Sequence, residues 1–552
     1  MEKRLILAIV ISFIVLFAFQ ALFNKKPEPE ATTQESITEQ IDEIEEQPSE
    51  KIKTPSVQTY TEKKKEKAIE PISAQNEKDI IIDTPLFYAV WSNKGAVLKS
   101  WRLKKHMNDD NEPVELVSEK ANKKNGYPFS IETENPSFNQ YVNNALYDCP
   151  ITRIELDEGE TREIRFVYAD SDNSQVEKVF SFQGGTYSFD VNIEVLKEGE
   201  PVKSRLKWGP NFGDTSETAE KKRFGTGEGM AYLKSDKVKH ISESKYDPEE
   251  DNQFFRVDWV AYENNYFAAI FLPASAENSV HFIREKSEAS ETFNLLMSLP
   301  EKVYLGPKDY DLLGKFGNRT NEIIKFGLFG FIGKILLKAI KWIHSFVPNW
   351  GFSIIILTII IKLLFFPLTF SSTRSMSKMQ ELQPKIKAIK KKYKKAKQDI
   401  QQRRNMNEEI MKLYKEQGVN PAGGCLPILI QLPIFWGFFR LLAVSIEFRK
   451  SPFIFWIKDL SIPDPFYVTP ILMGATQFIV QKMTPTSADS AQSKMMLIMP
   501  VVMIIFFMNF QSGLIIYWLT NNILQIGQQY LMNRIRKKKK RENHGKSKKG
   551  AK

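Results

Sequence analysis

The chain has 552 residues and a formal net charge of +11, too long for one compact core and too unevenly charged for the average to describe any one part. Its two cysteines, Cys149 and Cys425, stand far apart, one in a polar region and one at the start of an apolar stretch, which argues against a disulfide framework. The five histidines are scattered and no CxxC pair occurs, so neither a metal site nor a cofactor is expected.

The N-terminus reads MEKR, followed by an apolar run over 5–23. That run is longer than a signal-peptide core and lacks a small-residue cleavage site after it, so residues 1–24 are expected to be a retained transmembrane anchor. Residues 25–78 are rich in Glu, Lys, Pro, Gln and Thr and almost without aromatics. Such a composition buries too little apolar surface to fold and reads as a disordered linker. From 79 onward the pattern changes to a period of two. Tyr187, Phe189, Val191, Ile193 and Val195 alternate with Ser188, Asp190, Asn192 and Glu194 after a Gly184-Gly185 turn, and Ile164, Phe166 and Tyr168 alternate likewise. Short half-buried strands predict a large all-β sandwich over 79–319. It contains no nucleophile–base pair and no phosphate loop, so it reads as a spacer or docking domain.

Residues 320–348 change to helical periodicity. Lys334, Lys338 and Lys341 fall on one face, with Ile332, Ile335, Leu336, Ala339, Ile340 and Ile343 over the rest, the pattern of an amphipathic helix lying in a membrane interface. The stretch 350–369, WGFSIIILTIIIKLLFFPLT, is long and apolar enough to cross a bilayer, which takes about 20 residues. Lys362 stands near its middle, where a cation costs roughly 2.5–3.5 kcal/mol. Thr358 lies one turn away on the same face.

In 371–420, Met376, Met379, Leu382, Ile386, Ile389 and Tyr393 recur every three or four residues, as do Ile410, Leu413 and Tyr414. This predicts two antiparallel helices with a break at 395–399. Residues 374–418 carry 14 Lys/Arg against 5 Asp/Glu, the charge of a solvated face or of a partner-contacting one. Further apolar stretches cover 422–443, 466–483, 497–508 (starting nearer Met495) and 513–532, and the tail 534–552 has 11 Lys/Arg against Glu542. With the anchor and 350–369 these make six expected spans, so both termini lie on one side. The basic tail and hairpin make that side the cytoplasm. The loop 444–465 is charge-neutral and falls outside, as does the β domain.

None of these stretches contains an Asp or Glu to neutralise Lys362, and an intramembrane cation is tolerable where it faces a wet cavity. Gln431, Gln477 with Gln481, and Asn521 with Gln525 and Gln528 supply polar walls, and Tyr517, Trp518 and Asn522 supply amphipathic edges. The same amides serve elsewhere as interhelical hydrogen-bonding groups. Arg440 lies near the outer end of its span, where its head can snorkel to the interface.

The motifs NWGFSIII, KMQELQPKI, VNPAGGCLPILIQLPIF, DLSIPDPFYVTPILMG, QKMTPT, MPVVMIIFF and SGLIIYW together resemble the YidC insertases, the Gram-negative type of the Oxa/YidC/Alb family of membrane-protein insertases. The resemblance runs in order through anchor, β domain and helical core. It implies a five-span insertase bundle plus the anchor span, with a periplasmic β-sandwich and a hydrophilic groove open to the cytoplasm and to lipid. It implies a non-enzymatic insertase and chaperone of the bacterial inner membrane, with nascent membrane proteins, the Sec translocon, a translating ribosome and the lipid bilayer as partners. The substrate groove would comprise Lys362, Thr358, Gln431, Gln477, Gln481, Tyr517, Trp518 and Asn521. Lys390, Lys391, Lys394, Arg536, Lys537 and Lys538 would meet the cytoplasmic partner. The family usually carries Arg where this chain has Lys362, which keeps the charge and loses the planar fork. The rival reading is a small-solute transporter, for which the expected internal repeat is missing.

Overall fold

The alternating segments form strands because their apolar side chains fall on one face and leave the other to solvent. In strand Gln175–Gln183 the even-numbered residues are buried and the odd-numbered ones are not. The computed structural model describes residues 71–122, 125–214, 227–250, 252–286, 291–394, 396, 398–419, 426–484 and 490–549, with the side chains of 426–429, 490–497 and 536–549 outside that description. The expected anchor 1–24 and most of the expected linker 25–78 lie outside the described residues. Ile72 already pairs with Ala169 in a β-bridge, upstream of the expected domain start.

Three sheets make the β domain. The largest runs 237–242, 229–234, 259–263, 267–273, 300–307, 188–197, 175–183, 161–169 in spatial order, with 200–201 paired on 188–197. One five-stranded sheet is ordered 113–115, 97–107, 87–92, 79–83, 153–155, and the other 253–255, 279–286, 291–298, 205–208, 130–132. Both pack on the inward face of the large sheet. Phe129 touches Trp91 and Trp208 of the small sheets and Phe180, Phe189 and Phe271 of the large one. Lys178 occupies a core-facing position in that layer and is fully buried. Its Nζ donates to the carbonyls of Gly95 (2.8 Å), Ala96 (3.1 Å) and Phe129 (2.8 Å), which use all three donors of an ammonium.

Helices take over after the last strand. Within the β domain α1 is Pro136–Asn144. Then come α2 (Tyr310–Phe316), α3 (Gly330–His344), α4 (Trp350–Leu364), α5 (Phe366–Glu381), α6 (Gln383–Lys392), α7 (Ile400–Glu416), α8 (Leu426–Val444), α9 (Val468–Met483), α10 (Ser490–Phe507) and α11 (Ser512–Lys549). α11 packs on α4 and α9, α10 on α9, and α3 on α8 and α4. The division into an all-β domain and a helical region is the one the sequence implies.

Two features differ from the expected spans. The stretch 350–369 is not one straight helix. It breaks at Phe365 and bends by 61° into α5, because Pro367 lies in the first turn of α5, where it can supply no N–H to continue the ladder. Lys362 therefore sits in the last turn of α4 and not mid-helix. Among the described residues no single helix is long and apolar enough to cross a membrane, and the bent pair α4–α5 passes that test together. The basic tail, expected to be separate, continues α11 to Lys549, since Lys and Arg are good helix formers.

The β domain and helical region are fastened by buried polar contacts. Arg449, after α8, donates Nη1 to the Met107 carbonyl at 2.9 Å and pairs Nη2 with Asp214 at 3.7 Å, both side chains almost fully buried. Its guanidinium also lies over Phe267 at 5.1 Å. Asn265 donates to the Ala443 carbonyl at 2.9 Å, and Lys450 pairs with Asp109 at 2.7 Å.

Candidate functional site

Lys362 reaches α11 from the end of α4. Its Nζ donates to Gln525 Oε1 at 2.7 Å and to Asn521 Oδ1 at 3.1 Å. Asn521 and Gln525 are one turn apart on α11, so both carbonyls come from the same face. Among the described residues no carboxylate pairs with Lys362. Two bonds to a charged donor contribute roughly 1.5–3 kcal/mol each, enough to offset the roughly 2.5–3.5 kcal/mol cost of a cation at membrane depth. The C-terminal carbonyls of α4 add a smaller favourable effect. The ammonium keeps one donor that neither amide occupies.

The other expected wall residues gather around the same helix. Trp518 Nε1 donates to Gln477 Oε1 of α9 at 3.3 Å. Tyr517, stacked on Phe438 of α8 at 4.5 Å, hydrogen-bonds Gln431. Gln481 lies one turn beyond Gln477 and is half-buried. Thr358 is buried, and its hydroxyl donates to the Ile354 carbonyl of its own helix at 2.7 Å, so it offers a small surface and not a spare donor. Next to the wall, Gln528 Nε2 donates to Thr369 Oγ1 at 3.1 Å and joins α11 to α5 beyond the bend. Asn522 faces α9 instead, with its Nδ2 at 3.2 Å from the Met473 carbonyl and from Thr476 Oγ1. Gln525 is the partner that sequence reasoning left out of the groove set. Its spacing of one turn from Asn521 placed it on that face, but only the reach of Lys362 singles it out.

The basic set divides. Lys390, Lys391 and Lys394 are exposed at the end of α6, where helix-terminal carbonyls favour cations. Their neighbour Lys392 ties the hairpin by pairing with Glu409 of α7 at 3.0 Å. Leu382, Ile386 and Val419 form the small buried core of that hairpin, with Met379, Ile410, Leu413 and Tyr414 against it. Arg536, Lys537 and Lys538 lie on the helical continuation of α11, and their side chains are outside the described residues.

Two cations behave otherwise than their periodicity implies. Arg440 does not snorkel. Its Nη2 donates to the Lys325 carbonyl at 2.6 Å, because the segment before α3 folds over the end of α8. Lys341, expected on one basic face with Lys334 and Lys338, turns inward to Asp309 (3.1 Å), Asp311 (2.6 Å) and Glu447 (2.8 Å). Burial works against its charge, yet these carboxylates raise its pKa above the ordinary lysine value.

Comparison with known proteins covers both halves of the chain. The family model described as 60Kd inner membrane protein matches residues 342–540, and that of the YidC periplasmic domain matches 79–339. A protein of Geotalea daltonii named membrane protein insertase YidC is 36% identical over 97% of this chain and 99% of its own length. One of the same name from Syntrophus aciditrophicus is 34% identical over 97% of this chain and 100% of its own. Among solved structures, an active YidC insertase with its first transmembrane domain resolved matches at 22% identity and a TM-score of 0.36, over 84% of this chain and 95% of that one.

Proposed function

From the premise that the chain belongs to the YidC family of membrane protein insertases, we propose that α11 is the polar wall along which it receives client segments, with Lys362 as the charge that attracts them. The protein is an inner-membrane insertase with a periplasmic β domain. Its clients are nascent membrane proteins, which must bring polar flanks through hydrocarbon. A polar strip shortens the apolar distance such a flank crosses, and the apolar part of the client then moves sideways into lipid. No bond is made or broken in this process.

One observation carries the reading: the Lys362 ammonium is held by two neutral carbonyls, Asn521 and Gln525, and among the described residues no anion cancels it. The amides fix its position and its remaining donor can meet a carboxylate in the client's translocated flank. Asn521 and Gln525 thereby supply the positioning that the planar fork of Arg supplies for itself. The exposed lysines of the hairpin and the basic end of α11 suit a phosphate-rich ribosome at the cytoplasmic face. Both termini in the cytoplasm, and work beside the Sec translocon as well as alone, complete the proposal.

The test is insertion of a small client, with acidic or neutral translocated flank, into proteoliposomes. Lys362→Arg should insert both clients normally. Lys362→Ala and Lys362→Glu should slow the acidic client by about tenfold, the effect of ~1.4 kcal/mol, and the neutral one less. Gln525→Leu should fall between. Normal insertion of the acidic client by Lys362→Ala would remove the proposed role. Solute flux through the same vesicles would favour a transporter.

A further inference from the structure

We propose that the cleft formed by the connection from α2 into the start of α3 binds a membrane glycerophospholipid, with its phosphate on Lys334 and the upper part of its acyl chains against Leu328 and Phe331. The proposal goes beyond client insertion and rests only on the inner-membrane location. The cleft holds about 420 Å³ and is lined by Glu322, Ile324, Phe326, Leu328, Phe331 and Lys334, among others, a size within the roughly 300–1,000 Å³ of small-ligand sites. Its floor is apolar, with Ile324 and Phe326 buried, while Leu328 and Phe331 are 74% and 77% exposed at the rim.

The charges of the cleft decide what would enter it. Glu322 is already matched, because Arg319 grips both its oxygens at 3.0 Å. Lys334 lies over the Tyr310 ring at 5.7 Å, and no carboxylate among the described residues pairs with it, whereas Lys341 on the same helix takes three. The cleft therefore presents one uncompensated compact cation above an apolar floor. A phosphodiester carrying two acyl chains complements both features, and an acidic peptide would leave the apolar rim uncovered.

The rim continues into a surface that faces lipid. α3 buries Leu336, Leu337, Ile340 and Ile343 while leaving Phe331, Ile335 and Trp342 exposed, with Phe346 just beyond its end. Its buried side packs on α8 and α4, the apolar helices of the insertase core. An exposed stripe with a Trp beside such helices is the composition of the membrane–water interface. The cleft opens at one end of this stripe, where Lys334 meets Tyr310 of α2.

The experiment uses the full chain in lipid nanodiscs containing a phospholipid with a photoreactive group high on one acyl chain, followed by peptide mapping. Labelling should concentrate within 324–335. Lys334→Glu should lower it there about fivefold, as loss of one basic contact to lipid phosphate implies. Lys334→Arg should retain it, and Lys458→Glu, an equal charge change in the exposed loop after α8, should leave it unaltered. Equal labelling of wild type and Lys334→Glu, even labelling along every exposed apolar segment, or a co-purifying peptide occupying the cleft would each overturn the proposal. Insertion activity does not enter the readout, so failure here leaves the Lys362 reading untouched.

Discussion

At the scale of single residues, three lysines, one buried and two half-buried, illustrate how differently one side chain can be satisfied. Lys362 has two amides, Lys341 three carboxylates, and Lys178 three backbone carbonyls. Lys178→Met keeps the volume and removes every donor, leaving three core carbonyls without it. An unsatisfied buried polar group costs roughly 1–3 kcal/mol, while the change also relieves the burial that pushes this amine down to about 7, so the β domain should lose about 3 kcal/mol, read as a lowered thermal midpoint of its tryptophan fluorescence. His106 sets a pH dependence. Burial, with the Arg449 guanidinium second, pushes its imidazole down to about 4. The folded state thus keeps His106 neutral where the unfolded chain takes up a proton near pH 6.5. Its contribution is complete above that value and is lost as pH falls toward 4. Between pH 7 and 5 the loss should reach about 2 kcal/mol. His106→Phe should flatten the slope in thermal melts, with a residue from His240, which burial also lowers against the pull of Glu263.

At the scale of elements, the break at Phe365 decides how α4 and α11 meet. A straight helix through 350–369 would carry Lys362 at its centre. The bend before α5 makes it a terminal residue and allows Thr369 to meet Gln528 on the far side. The α6–α7 hairpin depends on a much smaller core. Ile386→Asp buries a charge in that cluster and should open the hairpin, seen as faster trypsin cleavage within 382–419 while the β domain stays protected. Reversing Lys390, Lys391 and Lys394 to Glu leaves that core intact. It should weaken ribosome co-sedimentation in a salt-dependent way; unchanged binding at low salt would reduce these lysines to a solvated face.

At the scale of the molecule, the β domain is bound to the helical region more firmly than a spacer requires. Arg449 has nearly all of its side chain buried between the two, against Asp214, Met107 and Phe267. Breaking one partner of a buried ion pair costs roughly 3–5 kcal/mol, so Arg449→Ala should loosen the junction and lower the melting point of the full chain. Deleting 79–300 strands Arg449 but removes none of the α11 wall. Insertion per molecule should therefore persist while stability falls, and Arg449→Gln in the deleted chain should restore part of it. Loss of insertion in the deleted chain would give the β domain an active part.

The sequence by itself determined the two-part architecture, because periods of two and of about 3.6 report locally which face each segment buries. It also determined which residues could line a polar wall, since an amide or lysine inside an apolar stretch stands out without any partner being known. The pairing of those residues was decided only by tertiary structure. Lys362 and Gln525 are 163 positions apart, and the helical spacing that puts Gln525 on the face of Asn521 does not say which group meets it there. Lys341 and Arg440 looked like headgroup-facing cations by spacing alone. Their partners, the Asp309–Glu447 cluster and the Lys325 carbonyl, come from segments whose approach depends on how α3 lies across α8. Periodicity records the face a residue occupies, and the identity of the group it meets there is fixed by the packing of distant elements.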